Sequence, residues 1–105
     1  MTTLLASAHN LSLQSEADAL DVLSSGLASC IFTPQDVHPE FFDLQNGIAG
    51  EIFQKFVNYN FRVAFIVTAD HQFGDRVTEL IRDHSRHPCI RFFETVEAAE
   101  SWLTS

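Results

Sequence analysis

The stretch from His38 to Tyr59 constrains the fold more than any other part of the sequence. It contains four of the ten phenylalanines and the only tyrosine. Its apolar residues recur at steps of three or four in two adjacent rows, as they do on a helix. The two rows are Phe41, Leu44, Ile48, Ile52 and Phe56, and Phe42, Ala49, Phe53 and Val57. A helix with so wide an apolar surface needs cover from more than one side, so we expect a sheet on one side and a helix or second subunit on another.

Local signals divide this stretch into two parts. Pro39 suits an early helical position, and Asn46-Gly47 is a turn signal, so we predict a short helical turn over 39–44 and a helix over about 47–58. The segment Gly47-Ile-Ala-Gly50 lacks the Lys-Ser/Thr of a phosphate-binding loop. We expect its small residues to let the helix backbone approach the sheet closely.

Three apolar runs, at 29–33, 62–68 and 89–94, predict β-strands. The run at 62–68 has no polar alternation, which is typical of a strand covered on both faces in a parallel sheet. Helical patterns lie before, between and after these runs. The first helix starts after Ser15. Its predicted inward-facing row consists of Ala17, Leu20, Leu23 and Leu27.

The alternation of helices and strands predicts a single α/β domain over residues 1–105, with a short, mostly parallel sheet packed against helices. Residues 1–14 form an N-terminal segment, and the sequence pattern does not establish whether this segment is ordered. The alternation of Leu11 and Leu13 in this segment predicts a short edge strand.

Composition excludes several classes of function. The net charge of −8 arises from 14 acidic and 6 basic residues, so a phosphate backbone would be repelled and direct nucleic-acid binding is not expected. No apolar segment approaches membrane-spanning length, and the N-terminus lacks the basic residues of a signal peptide. We therefore expect a cytoplasmic protein.

Two groups of residues have the composition of a reactive site. His38, Glu40 and Asp43 would suit acid–base or metal chemistry, but acids at a helix start usually oppose the helix dipole. His84 and His87 have a spacing that can bind zinc, but a basic side chain at a helix end more often binds the last carbonyls. We expect no catalytic residues, cofactor or metal, and we interpret Cys30 and Cys89 as buried core residues.

Three segments carry a resemblance to a known family: residues 39–59, PEFFDLQNGIAGEIFQKFVNY; residues 62–70, RVAFIVTAD; and residues 92–103, FFETVEAAESWL. The chain resembles, over roughly residues 15–104, the bacterial family of domain of unknown function 4180. The resemblance implies a STAS-like two-layer α/β sandwich, similar to the antagonists of anti-sigma factors. That family carries no established catalytic residues, so the resemblance implies a fold and little chemistry.

A second and less specific resemblance is to the small quorum-sensing anti-activators. It implies binding to a LuxR-type transcriptional regulator and a block of that regulator's dimerisation. We therefore expect a non-enzymatic, homodimeric regulatory module with a protein partner. The alternative is a STAS-like switch controlled by a small ligand or by phosphorylation, with Thr33 as the acceptor. Aromatic side chains dominate interface energies, so we expect the aromatic residues of this stretch and their apolar neighbours to bind the partner. The predicted partner-binding residues are Phe41, Phe42, Leu44, Ile48, Ile52 and Tyr59.

Overall fold

The computed structural model describes residues 4–43 and 47–105 as an α/β fold around a three-stranded parallel sheet. The strands are β1 (Ser29–Phe32), β2 (Arg62–Ile66) and β3 (Ile90–Phe93), and the α-helices are α1 (Glu16–Leu23), α2 (Ile48–Asn58), α3 (Asp75–Asp83) and α4 (Val96–Leu103). Short 3₁₀ helices span Ala6–His9, Pro34–Asp36 and Pro39–Phe42. The predicted α/β class, the order of the elements and the parallel sheet are confirmed.

The middle strand β2 pairs with β1 on one side and with β3 on the other. Phe65 lies opposite Phe32 of β1 and Phe92 of β3, so the three rings share one face of the sheet. That face packs against α1, α2 and α3, whereas the opposite face, with Ile31 and Ala64, packs against α4. Cover on both faces explains why β2 has no polar alternation.

Phe65 is the centre of an aromatic core. Its side chain is 1% exposed, and its ring centroid lies 5.6 Å from that of Phe32 and 5.3 Å from that of Phe92. Phe41 lies 5.4 Å away and Phe53 of α2 lies 5.6 Å away, each measured between ring centroids. One side chain thus connects all three strands to α2 and to the 3₁₀ helix that precedes α2.

Leu4 and Leu5, the first described residues of the N-terminal segment, lie beside the outer edge of β1. Leu5 forms a parallel bridge with Ile31, and the backbone N–H of Ile31 donates to the carbonyl of Leu4 at 2.8 Å. The predicted edge strand at Leu11 and Leu13 is wrong: Leu13 forms a single parallel bridge with Val37. Leu13 is fully buried, so its apolar side chain anchors the segment without extended pairing.

The inward face of α1 differs from the prediction. The structure buries Ala19 and Val22, whereas Leu20 is 45% exposed and Ala17 is exposed. The reason is that the main neighbour of α1 is α2 rather than a strand of the sheet. The apolar periodicity indicated a helix correctly, but the partner element sets which side of that helix is covered.

Gly50 also has a different role from the one expected. Nothing lies within 4 Å of the position that a Cβ would occupy on Gly50, so this glycine does not permit a close approach. The residue before it, Ala49, is the small residue that α2 buries. Gly47, by contrast, has a φ of 77°, a left-handed conformation that favours glycine before the helix.

Truncation of Phe65 is expected to cost more stability than truncation of any half-exposed ring. For Phe65→Ala we expect a loss of about 3–5 kcal/mol in the free energy of unfolding, because the cavity would open between the sheet and α2. Phe73→Ala is the control, since Phe73 is 37% exposed and stacks on Phe42 alone among the phenylalanines. Urea unfolding measures both, and equal losses would contradict the central role of Phe65.

Gly50→Ala is expected to stabilise the protein by about 0.4–1 kcal/mol, because alanine fits the helical backbone and restricts the unfolded chain. The matched control is Gly47→Ala, which places a side chain at positive φ and should destabilise. Thermal unfolding of the two variants distinguishes them by the sign of the change in Tm. A decrease for Gly50→Ala would show that close packing is present at this position.

Candidate functional site

The structure places most of the predicted partner-binding residues in the interior. Phe41 and Ile52 are fully buried, Phe42 is buried, and Ile48 is half-buried, so these side chains stabilise the fold. Leu44 lies outside the described residues. Tyr59 is different, because its side chain is 66% exposed immediately after α2. In the described part of that predicted set, Tyr59 alone presents most of its side chain to solvent.

Tyr59 borders a groove between α1 and the end of α2. The groove has a volume of about 530 Å³. We call it the α1–α2 groove, and its lining residues are Leu20, Asp21, Leu23, Ser24, Tyr59 and Phe61. Leu20 and Tyr59 are among the exposed large hydrophobic residues of the described chain. Sequence analysis found Tyr59 but missed Leu20, because the periodicity assigned Leu20 to the core.

Thr33 follows β1 and caps the 3₁₀ helix at Pro34–Asp36. Its hydroxyl donates to the Asp36 carboxylate at 2.9 Å, and the same carboxylate accepts the backbone N–H of Thr33 at 2.9 Å. A phosphoryl group on this hydroxyl would displace a hydrogen bond and place a second anion beside Asp36. The use of Thr33 as a phosphate acceptor therefore requires this cap to open.

The residues considered for acid–base or metal chemistry, His38, Glu40 and Asp43, lie in or next to the 3₁₀ helix at Pro39–Phe42. His38 lies just before the 3₁₀ helix at Pro39–Phe42, and its backbone N–H donates to the carbonyl of Leu13 at 2.8 Å. Asp43 is exposed after that helix, and the side chain of Glu40 lies outside what the structure describes. Within residues 4–43 and 47–105, no three His, Cys, Asp or Glu side chains are grouped so that they would hold a metal ion.

His84 and His87 are neighbours, with ring centroids 5.1 Å apart. His84 Nδ1 lies 2.8 Å from the carbonyl oxygen of Leu80, in the last turn of α3. A carbonyl only accepts, so Nδ1 of His84 carries the proton. This contact agrees with the interpretation of His84 as a side chain that satisfies the end of a helix.

His87 contacts the backbone at the start of β3 as the other neutral tautomer, with Nδ1 unprotonated. Its Nδ1 accepts the backbone N–H groups of Cys89 and Ile90, both at 3.0 Å, so the neutral ring carries its proton on Nε2. The carbonyl of His87 accepts from Nε of Arg91 at 2.7 Å. Burial lowers the pKa of His87, and the neighbouring His84 and Arg91 lower it further.

A pocket with a mostly apolar lining lies at the carboxyl end of the sheet, where ligands of open parallel sheets usually bind. Its volume is about 280 Å³, and its polar lining comes from Thr68, His71, Thr78 and Glu94. The Glu94 carboxylate accepts the N–H of Ala69 at 2.7 Å, and His71 Nε2 lies 2.9 Å from the Thr78 hydroxyl. The order of the strands could have located this edge from sequence, since Thr68 and Glu94 end two of the predicted strands.

Next to this pocket, Asp70 receives a hydrogen bond from the Thr68 hydroxyl at 2.6 Å. That bond lowers the pKa of the Asp70 carboxyl group below its ordinary value. The carboxylate is fully exposed and stays ionised, so it adds negative charge to the rim of the pocket.

The only tryptophan lies against two arginines on the face of the sheet covered by α4. The guanidinium carbon of Arg62 is 4.5 Å from the centroid of the Trp102 ring, and that of Arg91 is 4.8 Å from it. Sequence analysis missed this arrangement, because it depends on the register of two strands and on the rotation of α4.

The cysteines are buried thiols, as the sequence indicated. Burial raises the pKa of the Cys30 thiol to about 12, so this group stays protonated and unreactive at neutral pH. The Cys89 sulfur lies 3.6 Å from Oδ1 of Asn60, to which it donates a weak hydrogen bond.

Acidification should weaken the fold through His87. Because the pKa of His87 is lower in the folded than in the unfolded chain, the unfolded chain takes up more protons as the pH falls. The contribution of His87 to stability is therefore present above the ordinary histidine pKa of about 6.5 and is lost below it.

The test is the free energy of unfolding between about pH 7.5 and pH 5, a range that spans the ordinary histidine pKa. In His87→Asn, the amide oxygen replaces Nδ1 as acceptor without titrating, so we expect a smaller decrease on acidification than in the parent. His9→Asn is the control for loss of an imidazole elsewhere. The hypothesis fails if the two variants respond to pH alike.

Comparison with known proteins identifies a family but no activity. Among the described residues, no helix is both long and apolar enough to span a membrane. No curated protein and no solved structure matches the chain. The family model described as "Domain of unknown function (DUF4180)" matches residues 1–103. Since this match covers nearly the whole sequence, the chain belongs to the DUF4180 family.

Proposed function

We propose that this protein is a non-enzymatic, cytoplasmic regulatory module that binds a protein partner through the α1–α2 groove. The observation that carries the proposal is the pair of exposed apolar side chains, Leu20 at 45% and Tyr59 at 66%, that border one groove. Large apolar side chains left exposed beside a groove are typical of interaction sites. The Tyr59 ring supplies a large contact area together with a hydroxyl that can bind a polar group.

The most concrete form of this proposal is an anti-activator that covers the dimerisation face of a LuxR-type transcriptional regulator. An apolar groove with Asp21 and Ser24 at its border suits a helix that presents an apolar row with polar neighbours. The net charge of −8 disfavours competition for the regulator's DNA. The proposed free form is a homodimer.

A STAS-like switch is the second candidate function, and the pocket at the carboxyl end of the sheet favours it. Thr68, His71 and Glu94 would contact a small polar ligand there. In this alternative, a ligand or phosphorylation of Thr33 changes the affinity for a partner.

Tyr59→Ala is expected to weaken capture of the regulator by about thirtyfold or more, the effect of losing a 2 kcal/mol interface anchor. The measurement has two stages: identification of a regulator captured from host lysate, then titration of its purified ligand-binding domain with each variant. Val57→Ala is the matched control, because Val57 is 38% exposed on α2 but does not line the groove.

Light scattering on the free protein and on the mixture tests the mechanism. The proposed function requires a homodimer when free and a loss of regulator dimers on mixing. Equal capture by Tyr59→Ala and Val57→Ala would exclude the groove. A monomer that captures no regulator would overturn the proposal and leave the ligand-controlled switch as the better explanation.

A further inference from the structure

Arg62 and Arg91 hold their guanidinium groups against Trp102 by two kinds of contact. Both groups lie within 4.8 Å of the ring centroid, a distance at which a cation is attracted to an aromatic ring. Each also donates to a backbone carbonyl: Arg62 through Nη2 to Trp102, and Arg91 through Nε to His87. A ring contact and a backbone bond fix each guanidinium in place before any ligand arrives.

The positive charge of this cluster is not neutralised within the described chain. The contacts of the two guanidiniums there are the Trp102 ring and the two carbonyls, and none is with a carboxylate. This is unexpected in a protein with 14 acidic and only 6 basic residues. An arginine that served only to cover the tryptophan would gain from an acidic neighbour, and acidic residues are abundant here.

Most of the N–H donors of the cluster remain available. A guanidinium carries five N–H groups, and each arginine uses one nitrogen for its backbone bond. No buried side-chain nitrogen in the described residues lacks a hydrogen-bond partner. The other guanidinium nitrogens are therefore accessible to solvent, as the half-exposure of both residues also indicates.

The two guanidinium groups share one aromatic ring as a neighbour. From their distances to the shared ring, the guanidinium carbons lie no more than about 9 Å apart, the sum of the two values. This upper bound is near the Debye length of about 8–10 Å at ordinary salt, so the repulsion between the two charges is not fully screened. A bound oxyanion would relieve that repulsion and accept N–H groups from both forks at about 2.7–2.9 Å.

We propose that Arg62, Arg91 and Trp102 form a binding site for an oxyanion, that is, a carboxylate or phosphate group. The site is on the sheet face covered by α4, away from the α1–α2 groove, so it does not depend on the proposed partner interface. A small phosphorylated or carboxylated molecule and an acidic peptide segment present the same chemistry. The experiment is arranged to distinguish these sources.

Trp102 is the only tryptophan, so its fluorescence reports this site specifically. The full chain is titrated with inorganic phosphate, with malonate and with a hexaglutamate peptide, at an ionic strength held constant with sodium chloride. We expect a saturable change in fluorescence. Saturation by phosphate or malonate identifies a small anion as ligand, and saturation by the peptide alone identifies an acidic segment.

Arg91→Gln is expected to weaken that binding at least about tenfold, since a charge-assisted hydrogen-bond pair is lost. Arg86→Gln removes the same charge from an exposed residue outside this cluster, and it should bind like the parent. Arg91→Lys keeps the charge without the planar fork and should show intermediate affinity, which separates anion binding from a folding defect. The proposal is overturned if no anion gives saturation, or if Arg91→Gln and Arg86→Gln respond alike.

Discussion

The contact of Phe65 with the rings around it is the interaction on which the rest of this structure depends. A three-stranded parallel sheet is small, and its strands of four or five residues provide few backbone hydrogen bonds. Rings from β1, β3, α2 and the 3₁₀ helix at Pro39–Phe42 all converge on this one side chain. Stacked aromatic contacts, such as those of Phe65 with Phe32, Phe41 and Phe92, add stabilisation beyond the area that they bury. They also explain the unusually high phenylalanine content of the chain.

The regular elements could be predicted from sequence because their signals are local. A continuous apolar run such as that of β2, or the acids and proline before a helix, specifies conformation through adjacent residues. The orientation of α1 could not be predicted in the same way. Leu20 and Val22 are both apolar, and which of them is covered depends on α2, which begins 25 residues after α1 ends.

The candidate sites also divide into residues with a local sequence signal and residues without one. Tyr59 was found because an aromatic residue at a helix end is visible in the sequence, although Phe41 and Phe42 from the same pattern proved to be core. The cluster of Arg62, Arg91 and Trp102 has no sequence signal. Its members are separated by 29 and 11 residues and meet only because β2 and β3 pair with Ala64 opposite Arg91. A non-local register is required to bring such side chains together.

The bridge between Leu5 and Ile31 has a consequence for association between molecules. A parallel sheet has two outer strands, and the unpaired N–H and C=O groups of an outer strand are a template for strands of other chains. The N-terminal segment occupies part of that template on β1, since Leu4 already accepts the N–H of Ile31. Removal of this segment would convert β1 into a free edge, so a few residues with little regular structure act as protection against aggregation.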